Sequence, residues 1–264
     1  LEILTGNRVH YAINTIGGVR RDIGETERQK VLDSLDLLRK RTEYYTNLGT
    51  TEPSFVVRIT GVGKLSPEKA RDLCAVGPTA RASGICIDVR KDDPYAAYDE
   101  VPFEVCTADT CDVLGRVVVR VKELLQSYNI IEYLLKNLPQ GEVRVRAGRK
   151  VPPGEVVSRY EAPRGENIHY IKSNGSDKPE RVKVRAPTLA NYPAVVEMLK
   201  KGFIADIPLI FAAIDPCICC AERAFIVDTK TGQEGIVTMS ALKEYAKKFY
   251  QARRFEKGVV QWPL

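Results

Sequence analysis

The sequence predicts an α+β fold, mainly α: a helical-bundle core carrying a small antiparallel sheet insert. Three observations support this reading. Two long segments, near 26–48 and 110–137, repeat apolar residues at helical spacing. One section, 142–186, alternates with period two, as half-buried strands do. The chain has 264 residues, 44% hydrophobic and 28% charged, a globular composition long enough to bury a full core. The same numbers exclude a disordered tail, a collagen-like repeat and a disulfide miniprotein. No run of about 18 apolar residues is present, so no membrane-spanning helix is expected. The nearest candidate, Phe203 to Ile214, is broken by Asp206 and Pro208.

The elements follow in order. The chain opens at Leu1 rather than Met, directly before a turn-like Thr5-Gly6-Asn7, and reads as lacking its natural start. Thr26 and Gln29 form a capping box, and Val31, Leu32, Leu35 and Leu38 continue it as a helix over 26–48. Ser66-Pro67-Glu68 starts a short helix ending near Cys74, with Ser as N-cap and Pro where its missing N–H costs nothing. Gly77-Pro78, Gly84 and Asp93-Pro94 make 77–106 a long ordered loop, a feature that is usually functional. The longest helix is expected at 110–137, its apolar face formed by Val113, Val117, Val121, Leu124, Leu125, Tyr128, Ile131 and Leu135, and stopped by Pro139-Gln140-Gly141. Val143-Arg144-Val145-Arg146 and Arg181-Val182-Lys183-Val184-Arg185 alternate as strands, with a turn at Asn174-Gly175. A helix near 190–201, a hairpin near 225–238 and a basic helix near 240–254 complete the chain. The whole reads as one domain, 1–264, with 142–186 as an insert and 224–264 as a C-terminal extension.

The net charge is +6, from 40 basic and 34 acidic residues, with no block of like charges. Such scatter suits a solvated surface that docks on neighbouring subunits better than a nucleic-acid face. Seven cysteines, three of them within positions 217–220, make a poor disulfide framework. Thiolate chemistry in a reducing compartment fits better. Cys217 and Cys220 form a Cys-x-x-Cys pair, whose spacing lets both thiolates face one soft metal ion such as nickel, zinc or copper. Taken alone, the pair could equally be half a zinc site, a redox pair or packed structural cysteines. A preceding Asp215-Pro216 and a trailing Arg223 sharpen the metal reading.

Asp215-Pro216-Cys217-Ile218-Cys219-Cys220-Ala221-Glu222-Arg223 resembles the C-terminal metal motif of nickel–iron (NiFe) hydrogenase large subunits. Arg at its end resembles the membrane-bound, energy-converting group. The resemblance runs through Gly6-Asn7-Arg8-Val9-His10-Tyr11, Gly17-Gly18-Val19-Arg20-Arg21-Asp22 and Gly77-Pro78-Thr79-Ala80-Arg81-Ala82-Ser83-Gly84. Asp93-Pro94-Tyr95, Tyr98-Asp99, Glu161-Ala162-Pro163-Arg164-Gly165-Glu166 and Arg185-Ala186-Pro187-Thr188 continue it in order. The large peripheral-arm subunit of respiratory complex I shares most of these segments but lacks the cysteines.

The resemblance implies a hydrogenase large-subunit fold lacking its N-terminal third, and the reaction 2H⁺ + 2e⁻ ⇌ H₂. It implies a Ni–Fe centre with CO and CN ligands, held by four thiolates. Cys217 would be a terminal nickel ligand and the proton acceptor, and Cys220 a bridging ligand. The other two thiolates, and a proton-relaying glutamate, would come from a missing N-terminal segment or a partner chain. Arg164 would hang over the open metal position, Pro163 would fix its approach, and Asp215 would belong to the same canopy. His169 and His10 are candidate donors behind this site, or ordinary structural histidines. Cys74, Cys86, Cys106, Cys111 and Cys219 are given no metal role. The implied partners are an iron–sulfur small subunit and antiporter-like membrane subunits, with the chain peripheral on the cytoplasmic face of the membrane. In some relatives residues following the motif are removed on maturation. Two rival readings are a complex I-like quinone-reducing subunit without nickel, and a non-catalytic scaffold.

Overall fold

The computed structural model describes residues 1–9, 11–148, 150–200, 202–221, 226–227, 232, 234–235 and 237–257. They form two compact units, Leu1–Cys220 and Ala221–Leu264. The α+β character is as the sequence predicts. Helices dominate the first unit, and its one substantial sheet is three-stranded and antiparallel.

The first unit opens with a helical turn, α1 (Glu2–Thr5), and a small hairpin, β1 (Asn14–Thr15) and β2 (Gly18–Val19). Helix α2 follows over Glu25–Thr51, with Gly24 as N-cap and no side-chain cap. The expected capping box at Thr26 is therefore not formed, and Gln29 bonds Asp33 at 2.8 Å instead. Glu25 and Glu27 supply negative charge to the first turn, which complements the helix dipole without it. With 27 residues, α2 is longer than the helix expected to be longest, α7 (Val113–Lys136), which has 24. In its last turns the Thr46, Thr50 and Thr51 hydroxyls bond back to carbonyls one turn earlier. Pro53 ends it by pushing Glu52 into extended backbone, and starts α3 (Pro53–Ile59), which the sequence reading did not anticipate.

Helix α4 (Pro67–Asp72) starts as expected, with the Ser66 hydroxyl accepting from the Lys69 N–H at 3.2 Å. The stretch expected as a continuous loop, 77–106, contains two single helical turns, α5 (Pro78–Arg81) and α6 (Val89–Asp92). They are pinned by a buried ion cluster that composition alone could not show. Arg81, 1% exposed, reaches Glu123 at 2.6 Å, Glu161 at 2.9 Å and Asp88 at 3.5 Å. Asp88 also pairs with Arg90 at 2.6 Å and caps α6 through the Arg90 N–H.

Burial acts to raise the Asp88 pKa, but the Arg90 hydrogen bond and the charges of Arg81 and Arg90 outweigh it and hold it low. A lowered folded pKa contributes stability that is full above the ordinary Asp value of 3.8 and is lost as pH falls through the folded value. Asp88→Asn is therefore expected to flatten the acid limb of stability against pH below that value. Denaturant titrations at stepped pH check this; an unchanged acid limb contradicts it.

Helix α7 is capped by Asp112, whose carboxylate accepts from the Gly115 N–H at 2.9 Å and from the Gly61 N–H at 2.7 Å. Its predicted face holds at Val113, Tyr128 and Leu135, but Leu124 and Ile131 are exposed. Against its second half lie α2, joined by Thr42–Tyr128 and Arg39–Glu132 contacts, and the Val101–Phe103 segment, which packs on Ile130. These neighbours cover Tyr128 and Ile130 and leave Leu124 and Ile131 exposed. The helix stops at Asn137, before Pro139.

Residues 143–146 are extended but do not join the main sheet. Their backbone pairs with the first hairpin: Val19 N–H donates to the Val143 carbonyl and Val145 N–H to the Gly17 carbonyl, both at 2.9 Å. A period-two pattern identifies an extended strand but not its partner. The sheet itself begins at Gly154, as β3 (Gly154–Ala162), β4 (Gly165–Ser173) and β5 (Arg181–Arg185) in that spatial order. The turn at Asn174-Gly175 lies where expected, with the Asn174 side chain accepting from the Ser176 N–H at 3.1 Å.

Helix α8 (Pro187–Leu199) starts at Pro187, three residues earlier than expected. Asp206 and Pro208 interrupt the apolar run after Phe203, as expected, and they also start a short helix. Asp206 accepts from the Phe203 N–H at 3.0 Å and pairs with Arg58 at 2.6 Å, and Pro208 sits in the first turn of α9 (Ile207–Ala213). The core gathers Ile59, Leu65, Val113, Val195, Met198, Ile210 and Ile214. Among the described residues, no helix is long and apolar enough to cross a membrane.

The second unit contains the short antiparallel pair β6 (Ile226–Val227) and β7 (Glu234–Gly235), and helix α10 (Met239–Lys257). His10 and Arg223 lie outside the described residues.

Candidate metal centre

The site is built at the end of α9. After the buried Ile214, Asp215 takes a left-handed conformation, φ 55°, which Asp tolerates better than most side chains. That kink reverses the chain into Pro216 and a 3₁₀ turn over Ile218–Cys220. Cys220 N–H bonds the Cys217 carbonyl at 3.1 Å, closing the turn. Cys217 N–H is held at 3.1 Å by the hydroxyl of Thr188, a buried residue in the first turn of α8. The outcome is two free thiols whose sulfurs lie 2.9 Å apart. A disulfide would require about 2.05 Å. The Cys220 thiol hydrogen bond lowers the Cys217 pKa against burial, helped by the backbone N–H groups of Cys220 and Cys219 and the Arg164 charge. Burial, with donation to Cys217 and that neighbour's charge, pushes Cys220 up to about 11. The two sulfurs thus titrate as a pair that shares one proton in a thiol–thiolate hydrogen bond.

Arg164 reaches this turn from the tip of the β3–β4 hairpin. Ala162 pairs with Gly165, leaving Pro163-Arg164 as a two-residue loop. The Arg164 guanidinium donates through Nε to the Asp215 carbonyl and through Nη2 to the Asp215 carboxylate at 3.2 Å. Arg120, on α7, lies 3.7 Å from the other Asp215 oxygen and donates to the Pro163 carbonyl at 3.5 Å. Behind the loop, Asn191 is wholly buried and clamps it: its amide nitrogen donates to the Val76 and Arg164 carbonyls, and its oxygen accepts from the Val76 N–H at 2.9 Å.

The hairpin tip can approach this closely because two glycines face each other. Gly77 has φ 63°, and a Cβ there would stand 2.3 Å from the Gly165 Cα. Gly77→Ala is therefore expected to cost about 2–5 kcal/mol, from left-handed strain plus overpacking against backbone. Denaturant unfolding measures it; a loss below about 1 kcal/mol contradicts the close approach.

Four of the residues expected to form the site, Arg164, Asp215, Cys217 and Cys220, are brought together. Pro163 takes part through its carbonyl. His169 is not brought in: it lies along β4 with its ring stacked on Tyr160. Arg120, Thr188 and Asn191 were missed. Thr188 lay inside a motif already singled out, whereas Arg120 is one more basic residue on a helix and carries no sequence signal.

A soft thiolate pair converging on one point suits a soft or borderline metal such as nickel, and the positive Arg164 beside it suits thiolate ligands. Among the described residues no third Cys, His, Asp or Glu completes a cluster. By donor chemistry the pair fits two ligands of a thiolate-held centre. A separate cleft of about 960 Å³, lined by Val57, Arg58, Gly63, Met198 and Phe203 among others, contains none of these residues.

Residues 1–149 and 143–223 match the family described as respiratory-chain NADH dehydrogenase, 49 Kd subunit. The chain belongs to this family. Among relatives of this 49 Kd subunit family, it is 42% identical to the carbon monoxide-induced hydrogenase of Rhodospirillum rubrum, over 84% of this chain and 62% of that protein. It is 38% identical to an NADH-quinone oxidoreductase subunit of Dehalococcoides mccartyi, over 81% of this chain and 59% of that protein. A chain of the membrane-bound sulfane sulfur reductase, an archaeal respiratory membrane complex, superposes with a TM-score of 0.79 at 35% identity, covering 84% of this chain and 62% of that one. The chain thus spans about three fifths of the length of these relatives.

Proposed function

We propose that this chain is the large catalytic subunit, or part of it, of a complex I-related, membrane-bound, energy-converting NiFe hydrogenase. The observation that carries the reading is the convergent pair Cys217 and Cys220, 2.9 Å apart at sulfur, with Arg164 tied to Asp215 beside it. The hydrogenase relative of Rhodospirillum rubrum supports it. At a coarser level, all three relatives favour an oxidoreductase subunit of a multisubunit complex.

In this reading Cys217 and Cys220 hold the nickel of a Ni–Fe centre with CO and CN ligands, and two further thiolates come from outside the pair. When bound, that centre supplies the redox chemistry of 2H⁺ + 2e⁻ ⇌ H₂. The chain's own residues supply the rest. Cys217 Sγ, the terminal ligand in this reading, accepts and releases a proton. Arg164 holds a fixed positive group beside it, pre-oriented by Asp215 and so costing no reorganisation when charge develops. Pro163, with its locked φ, fixes the loop that delivers Arg164. Electrons would come from an iron–sulfur small subunit. Membrane antiporter-like subunits would couple the reaction to ion movement, with this chain peripheral on the cytoplasmic face.

Similarity to the NADH-quinone oxidoreductase relative of Dehalococcoides mccartyi favours a second reading, a quinone-reducing subunit without nickel. Exchange between D₂ and water protons separates the two, because it needs the site but no electron donor. The purified complex is expected to form HD from D₂ in H₂O. Quinone reduction with no HD formation would overturn the hydrogenase reading.

A further inference from the structure

We propose that Arg120 is a positioning residue of the cysteine site: it clasps the two chain segments that carry Arg164 and Asp215 and so fixes the Arg164 guanidinium beside Cys217. The inference rests on the metal-centre reading above and extends it to a residue outside the motifs.

The geometry is that of a bracket. The hairpin tip at 163–164 and the turn at 213–215 are distant in sequence and arrive from different elements. Arg120, rising from the first half of α7, touches both. Its Nε donates to the Ala213 carbonyl at 3.4 Å, and its Nη1 donates to the Pro163 carbonyl at 3.5 Å and lies 3.7 Å from Asp215 Oδ2. Each of these contacts is long and individually weak. Together they tie one rigid planar fork to three acceptors on two segments. The Asp215 carboxylate is then shared, Oδ1 with Arg164 and Oδ2 with Arg120. The positions of the two guanidinium groups are thereby coupled through one carboxylate.

The placement is costly unless the fork does something. Arg120 Nη2 is buried and has no acceptor among the described residues. Arg116, one turn earlier, is wholly buried; its Nη2 donates to the Gly63 carbonyl at 2.6 Å, and its Nε and Nη1 are likewise unmatched. An apolar side chain of similar volume would fill the Arg120 position without an unmet donor. What it would lose is the grip on Pro163, Ala213 and Asp215. Arg120 and Arg164 together also leave the turn with more positive than negative charge, which suits thiolate ligands and an anionic centre.

The test uses the intact complex with Arg120→Met, Arg120→Lys and the double variant Arg120→Met/Asp215→Asn. Arg120→Met is expected to assemble and keep its nickel, to lower kcat about 10- to 100-fold with little change in KM for H₂, as misplacement of a reacting group does. The infrared bands of CO and CN should shift. Arg120→Lys should recover part of kcat, and the double variant should be less than additive, because both changes release the same clasp. Unchanged bands and kcat in Arg120→Met, with only a lower Tm, would overturn the proposal. If Arg120→Met fails to assemble, Arg120→Lys decides, with unshifted bands and full kcat overturning it. If the parent complex shows neither nickel nor such bands, the metal-centre reading fails. The clasp is then judged by cryo-electron microscopy of the Arg120→Met complex: a displaced Arg164 supports it, and an intact Arg164–Asp215 pair overturns it.

Discussion

Cys217→Ser is expected to abolish D₂/H⁺ exchange, by about 10³-fold or more, and to remove nickel from the purified complex. A serine oxygen is a harder donor than a thiolate and is not ionised near neutral pH, so it is a poor nickel ligand and a poor proton acceptor there. The loss should exceed the effect of Cys219→Ser, since Cys219 is exposed to solvent. Cys220→Ser should also cost nickel, because removing either sulfur breaks the chelate. Full exchange activity and nickel content in Cys217→Ser would leave the pair as packing and support a scaffold role.

The largest effect on stability is expected from Arg81→Met. Arg81 is nearly inaccessible and sits among Glu123, Glu161 and Asp88. Removing the cation leaves Glu161 and Glu123 without their arginine partner, while Asp88 keeps Arg90. Breaking a buried pair from one side costs about 3–5 kcal/mol. Burial already raises the Glu161 pKa despite the Arg81 charge, so without Arg81 it should take up a proton more readily still. A carboxylate with a raised folded pKa loses stability as pH rises through that value. The Arg81→Met variant should accordingly be less stable at pH 8 than at pH 5. Glu161 stands two residues before Pro163, and its backbone N–H donates to the Tyr95 hydroxyl at 3.2 Å, so the same change loosens the hairpin that delivers Arg164. Denaturant midpoints at both pH values measure this. A loss under about 1 kcal/mol, or no pH dependence, would contradict the account.

Much of this was legible in the sequence, for identifiable reasons. Ser66-Pro67 is a start signal that acts locally, and it starts α4 as read. Asn174-Gly175 likewise specifies a turn from its own chemistry. The cysteine pair was legible because three-residue spacing on a tight turn converges without help from the rest of the fold. What failed were readings that depended on a partner. Thr26 could cap a helix, but Gly24 caps it instead, two residues earlier. Residues 143–146 alternate properly and pair with a hairpin more than 120 residues upstream. The site shows the same division. Arg164 and Asp215 were named from motifs, while Arg120 and Asn191 act across the fold and have no local signature.

The central claim is that Cys217 and Cys220 are ligands of a nickel–iron centre. Infrared spectroscopy with nickel analysis, on the complex freshly purified and fully assembled from its native source, tests it most directly. The account predicts sharp metal-bound CO and CN bands and stoichiometric nickel, both lost in Cys217→Ser. No bands and no nickel in that material would contradict it and leave the two thiols on a quinone-type or scaffold subunit.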